Sequence, residues 1–348
     1  MKKAICCALA VLGFMLATVA DACTRVVFHG DNSNVMTARS MDWKTDVGTN
    51  LWILPSGVKR NGLAGPQSMQ WSAKYGSVVA TGYDISTTDG LNEKGLNANL
   101  LWLVESEYPQ IEKSKKPKLS ISLWAQYVLD NFSTVAEAVE FLKKEPFDVI
   151  SDQVPGENRL ATLHLSISDK TGDSAIVEYI GGRQVIHHNK SYQVMTNSPT
   201  FDQQLALNQY WKQIGGTVFM PGTNRAADRF ARASFYIQAI PKHVDSNSSL
   251  ASVFSVIRNV SVPYGLNTEE EPNISSTRWR TVVDHKRNLY FFESAVSPNV
   301  FWVDLNKINF KDGKSRKLDL GKDQSNTFAG DATAAFTETK PFVFLGIS

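Results

Sequence analysis

Cysteine is scarce: the 348 residues contain three. Cys6 and Cys7 fall in an apolar N-terminal run, which leaves Cys23 alone beyond it. Once that run is removed, no internal disulfide can form. An excess of charge of one sign is also lacking. The formal net charge is +2, so nothing marks a nucleic-acid surface, and no nucleic-acid partner is expected. Long hydrophobic runs are confined to the start. Ala4 to Val19 spans about 16 residues without a charge, short of the roughly 20 that a membrane helix needs, and no later segment comes closer. Repeats, low-complexity tracts and Gly/Ser linkers are missing as well. The six histidines show no metal-ligand spacing, so neither a metal nor a cofactor is expected.

What is present begins with an export signal. Lys2 and Lys3 give a positive start, the apolar run follows, and Ala20-Asp21-Ala22 offers small residues where a signal peptidase cuts. Cleavage there leaves residues 23–348 as a single domain, with Cys23 as its first residue. Export makes a periplasmic or secreted protein with no stable membrane insertion. Two other readings use the same residues. One is a retained anchor helix. The other is a lipoprotein with its lipid on Cys23, although that route prefers a bulky aliphatic residue where Ala20 stands and uncharged residues where Asp21 stands.

Residues 24–30 read as a strand, Asp31 to Asn34 as a turn, and Val35 to Trp43 as the partner strand of a hairpin. Further strands are expected at Leu51–Leu54 and Ser77–Tyr83. Residues 90–104 suggest a tight connection with Gly95 at its exit. Ser120 to Phe132 carries apolar residues at close to a 3.6 period, and Thr134 with Glu137 suggests a capping box for a second helix. Alternation at Leu163, Leu165 and Ile167, and the stretches Ala175–Ile180, Arg278–Val283, Leu289–Phe292 and Val300–Asp304, give strands. Helices are expected at Asp228–Ile240 and Leu250–Asn259. The pattern implies antiparallel sheets covered by helices.

A thiol that survives export risks oxidation, a hazard that Ser or Ala would not carry. Its place at the new N-terminus gives it a use. There the thiol and an α-amine share one Cα, and their ordinary pKa values are close, about 7.7–8.0 for the amine and roughly 8.5 for the thiol. The amine can therefore serve as base for its own side chain. Arg39 and Asp42 lie on the strand beside Cys23. Three residues apart, they share no face of a regular strand, so a bend or bulge near Met41 is needed to aim both inward. Asp42 would then hold the amine, and Arg39 would favour the ionised thiol. On the residues alone, an exposed cross-strand ion pair is an equal account of them.

With those residues in view, the sequence resembles the choloylglycine hydrolase family of N-terminal nucleophile hydrolases, which includes bile salt hydrolases and penicillin V acylases. The resemblance rests on Cys23-Thr24-Arg25, Ala38-Arg39-Ser40-Met41-Asp42-Trp43, Asp89 through Leu96, Thr196-Asn197-Ser198-Pro199-Thr200-Phe201-Asp202 and Asp228-Arg229-Phe230. It implies an α+β fold, a four-layer α/β/β/α sandwich of two antiparallel sheets, assembled as a homotetramer. It also implies catalytic roles for Cys23, Arg39, Asp42, Asn197 (its side-chain amide on the oxyanion) and Arg229. Many members have an Asn whose backbone amide serves the oxyanion. Here Trp102 falls at that place, or Asn99 if a gap intervenes. Met41, Trp43 and Trp102 would then line the substrate pocket, with an aromatic wall. The leader resembles that of exported members from Gram-negative bacteria.

The expected activity is hydrolysis of a linear amide with a large hydrophobic acyl group, such as penicillin V or an N-acyl homoserine lactone. Conjugated bile salts are the rival substrates. A non-catalytic exported lipoprotein or binding module is the competing class. A lysosomal relative, which sequons at Asn131, Asn247, Asn259 and Asn273 would permit, fits poorly with a short leader and one remaining cysteine.

Overall fold

The hairpin at the start of the chain sets the frame. β1 (Thr24–His29) and β2 (Val35–Trp43) pair antiparallel. They are joined by a turn in which Asn32 and Ser33 take left-handed φ angles of 53° and 59°. We describe the protein from a computed structural model, which covers residues 23–110, 114–269 and 274–347; the leader therefore lies outside the described residues.

β2 is buried along its whole length and lies between β1 and the strand Ser276–Asp284. The first sheet is seven-stranded, running from Val194–Met195 through β1 and β2 to Ser276–Asp284, Leu289–Ser294, Val300–Asp304 and Gly330–Asp331. Only the last pairing is parallel. The second sheet is nine-stranded, and its centre is Leu163–Ser168, Asn97–Trp102, Ser86–Asn92 and Ser77–Gly82. Between Asn92, the last residue of one strand, and Asn97, the first of the next, Gly95 adopts φ 89°, as the tight Asn92–Leu96 connection requires.

Helices cover both sheets. α1 (Trp124–Asn131) and α2 (Val135–Leu142) pack on the second, while α3 (Phe201–Ile214), α4 (Ala226–Ala239) and α5 (Ser246–Asn259) lie on the side of the first. The result is the four-layer α/β/β/α sandwich. One apolar cluster links α4 and α5 through the first sheet to inward residues of the second, such as Val78 and Leu101. The other lies between the second sheet and α1 and α2, around Trp124.

Local departures have local causes. The helix expected from Ser120 starts later, because Ile121–Leu123 forms a tighter turn capped by the Ser120 side chain. Thr134 caps α2 by accepting from Glu137 N, but Glu137 reaches back to Ser133 N at 2.8 Å rather than to Thr134. α3 was not foreseen as a helix. It buries only Phe201, Gln204 and Asn208, so it carries no apolar stripe to betray it.

Candidate active site

β1 pairing sets Thr24 opposite Ser40 and Arg25 opposite Arg39, so Cys23, one residue upstream, lies beside Met41 and Asp42. The thiol rests on the Asp42 main chain. Asp42 N–H approaches Sγ at 3.5 Å, and Sγ lies 3.7 Å from the Asp42 carbonyl oxygen. Arg39 and Asp42 are both fully buried, not the exposed pair that charges on a hairpin ordinarily make. They do not share a face of β2. Arg39 lies with Met41, whose Sδ it approaches at 3.5 Å, and Asp42 lies with Ser40. β2 therefore alternates regularly, both of its faces are buried, and the bend expected near Met41 is absent. An irregularity lies instead on the neighbouring strand. Asp42 opposes Thr277 and Met41 opposes Trp279, which leaves Arg278 as an extra residue. Arg278 turns its guanidinium onto the carbonyls of Trp43 and Lys44, 2.9 and 2.5 Å away.

The backbone nitrogen of Cys23 donates to Asn197 Oδ1 at 2.5 Å. The contact expected of Asp42 is thus made by Asn197. The Asp42 carboxylate is engaged elsewhere, accepting from Thr277 Oγ1 and, at 3.2 Å, from Ser40 Oγ. Burial pushes the Asp42 carboxyl up to about 6, against the pull of Arg229 and these two hydroxyls. Burial also pushes the Cys23 thiol up; Arg39 opposes the rise and Asp42 adds to it.

Arg229, in the first turn of α4, is fully buried rather than on the surface. It grips the nucleophile's surroundings through Cys23 O (2.6 Å), Thr24 Oγ1 (2.5 Å) and Asn197 Oδ1 (2.9 Å). Arg39 is held more loosely. It donates to Leu100 O at 2.9 Å, and its guanidinium carbon sits 4.6 Å from the centre of the Trp279 ring. Its Nε and Nη1 are buried with no partner among the described residues. Asp89, held by Asn99, Tyr290 and Thr281, is the buried carboxylate whose rise Arg39 counters most.

Asn197 Nδ2 donates to the Trp102 carbonyl at 2.7 Å, which leaves that amide one further hydrogen. Leu103 N–H bonds Thr162 O, and Leu163 N–H turns to Tyr108 Oη. Trp102 and Leu163 are therefore a non-hydrogen-bonded pair, and the Trp102 N–H faces the opposite side of its strand. On that side the neighbouring strand pairs only as far as Asn99. Asn99 itself directs its side-chain amide to Asp89 Oδ2 at 2.7 Å. Of the two candidates for a backbone donor, Trp102 adjoins Asn197 and Asn99 does not.

Cys23 and Arg39 open into a narrow cleft of about 120 Å³, walled by Met41, Trp43, Tyr83 and Trp102. The Trp43 and Trp102 rings meet at 5.4 Å, and Arg159 covers Trp102 at 4.2 Å. Tyr83 had not been singled out from the sequence. Tyr83 and Asp84, in the three-residue connection between Gly82 and Ser86, both take left-handed φ angles, 53° and 55°, a conformation that favours Asn or Gly. Asp84 offsets that strain by accepting from Trp52 Nε1 at 2.7 Å and Lys317 Nζ at 2.8 Å. The turn thereby presents Tyr83 Oη to Trp43 Nε1 at 2.9 Å. Among the described residues no cluster of His, Cys, Asp or Glu is placed to hold a metal, and no helix is long and apolar enough to cross a membrane.

Residues 23–320 match the family model of linear amide C–N hydrolases, choloylglycine hydrolase family. The chain belongs to that family. A penicillin V acylase of Pectobacterium atrosepticum is 57% identical over 99% of this chain and 98% of its own. The solved structure of penicillin V acylase from Agrobacterium tumefaciens is 64% identical and superposes with a TM-score of 0.87, over 93% of this chain and 100% of its own. A bile salt hydrolase/transferase of Clostridium perfringens is more distant, 28% identical over 85% of this chain and 95% of its own. As a choloylglycine hydrolase family member, the protein is a linear amide C–N hydrolase.

Proposed function

We propose that the protein is an exported cysteine amidohydrolase of the penicillin V acylase type, in which Cys23, freed by cleavage after Ala22, is both first residue and nucleophile. The observation that carries this reading is the convergence on Cys23 of Asn197 at its nitrogen, the Asp42 main chain at its sulfur, and an apolar cleft at its side. Cleavage turns that nitrogen into an α-amine. The amine takes the thiol proton, and the thiolate, favoured by Arg39, attacks the amide carbonyl. The second Nδ2 hydrogen of Asn197 and the Trp102 N–H receive the oxyanion. The amine returns its proton to the leaving nitrogen, and water hydrolyses the thioester. Arg229 and Asp42 hold the charges and the Cys23 backbone in place.

The aromatic wall of Trp43 and Trp102, with Met41, suits a large hydrophobic acyl group. Penicillin V-like amides lead, as the similarity to penicillin V acylases supports, and N-acyl homoserine lactones share that chemistry. Conjugated bile salts are the second reading, supported by the more distant bile salt hydrolase match. The export signal read in the sequence supports a periplasmic enzyme of a Gram-negative bacterium, and the family resemblance supports a homotetramer. Assay of purified protein against penicillin V, glycocholate and a long-chain acyl homoserine lactone tests the substrate. Preference for penicillin V or the lactone supports the reading, preference for glycocholate moves it to the bile salt branch, and no hydrolysis of any overturns it.

A further inference from the structure

The family match ends at residue 320, yet a later segment reaches the cleft. Residues 342–347 run over the second sheet as a strap fixed at several points. Phe342 and Phe344 are buried in the outer apolar cluster, 4.6 Å apart, and Phe342 packs edge-on against Trp52 at 4.9 Å. Between these anchors and Ile347 N, which donates to Leu63 O at 2.7 Å, stands Leu345. Its carbonyl accepts from both Ser120 Oγ (2.9 Å) and Ser122 Oγ (2.7 Å), and its N–H donates to Ile85 O at 3.0 Å. With its main chain held on both sides, the residue sits at a fixed place on the cleft wall. Leu345 lines the same cavity as Cys23, next to Ile85, Ile121 and Ser122.

We infer that this strap is the specificity wall of the acyl pocket, and that Leu345 limits the bulk of the acyl group admitted. The inference rests on the amidohydrolase reading and deepens it. A side chain at a fixed backbone position changes pocket volume without touching the reacting atoms. Ile85 belongs to the connection after Tyr83 and Asp84, so the strap also braces the turn that supports Trp43. Residues within the matched span supply the thiol chemistry; a segment after it selects what reaches the thiol.

The test uses Leu345→Ala, Leu345→Trp and Ser120→Ala in the processed protein, with a series of amides of one amine and increasingly bulky acyl groups. Leu345→Ala raises kcat/KM for the bulkiest acyl relative to phenoxyacetyl by fivefold or more. Leu345→Trp lowers the same ratio by tenfold or more. Ser120→Ala, which loosens the Leu345 carbonyl, flattens the ranking. Protection of Cys23 from iodoacetamide by the same amides reads pocket occupancy without turnover. If protection ranks as described but nothing is hydrolysed, the amidohydrolase reading fails and the strap stands. If hydrolysis proceeds and the ranking is the same in all four proteins, or if no acyl amide protects in any of them, the strap proposal is overturned. Thermal midpoints within a few degrees of wild type show that the variants fold.

Discussion

Asn197 Oδ1 lies 2.5 Å from the backbone nitrogen of Cys23, across 174 residues of sequence. The same side chain spans to Trp102 O through Nδ2, so in the proposed mechanism one amide would fix both the base and the place of the oxyanion. Asn197→Asp keeps the oxygen that faces Cys23 and Arg229 but loses the donor. A loss of kcat of about 10²–10³-fold is expected, the usual consequence of removing one oxyanion donor. Steady-state kinetics check it, with the rate of Cys23 alkylation as control for a site that remains open.

Arg39 is the largest influence that lowers the Cys23 thiol against burial. Arg39→Met removes that influence, so the thiol ionises at higher pH. The midpoint of the pH profile for alkylation by iodoacetamide is expected to move up, and the rate at neutral pH to fall. A profile that stays in place, or moves down, contradicts the role given to Arg39.

The β1–β2 hairpin and the lone Cys23 were legible because local pattern and chemistry coincide there. Placement of Arg39 and Asp42 was legible only in outline. The bend expected near Met41 is not there, because layers on both sides of β2 bury both of its faces. The bulge at Arg278, on a strand more than 230 residues away, serves instead to set Thr277 against Asp42. Asn197 in place of Asp42 at the Cys23 nitrogen could not be read, since it depends on Thr277 and Ser40 occupying the Asp42 carboxylate. Tyr83 and Leu345 were invisible for the same reason. A tyrosine in a turn and a leucine near the chain end carry no periodic signal, and only the fold brings them to the cleft.

Tyr83 Oη is the acceptor that the half-enclosed Trp43 indole N–H finds at 2.9 Å. Tyr83→Phe leaves that donor without its partner, at a cost of about 1–3 kcal/mol, and frees the Trp43 ring to tilt. KM for a phenoxyacetyl amide is expected to rise several-fold while kcat changes less than twofold. Kinetics that lose kcat at constant KM would place Tyr83 in the chemistry rather than in the wall.

Glu178 ties the Asn197 loop to the second sheet, accepting from Phe201 N at 3.0 Å. Burial alone would raise its carboxyl, yet bonds from His164 and His187 hold it at about 2, below the ordinary 4.5. A depressed carboxyl stabilises the fold fully above its unfolded value, and the contribution is lost as pH falls through about 2. That separation is worth on the order of 3 kcal/mol at neutral pH. Glu178→Gln is therefore expected to cost about that much in urea unfolding at pH 7, with the gap to wild type narrowing to under half near pH 3. A gap independent of pH contradicts this account.

The central claim is that Cys23 acts as a free N-terminal residue. Intact mass of the active protein, taken before and after acid quench during turnover of penicillin V, tests it most directly. The account predicts a chain that begins at Cys23 with an unblocked amine and gains the mass of one phenoxyacetyl group, lost when Cys23 is replaced by Ser. Full activity from a chain that begins elsewhere, or from one whose Cys23 carries a lipid on its sulfur, would contradict it.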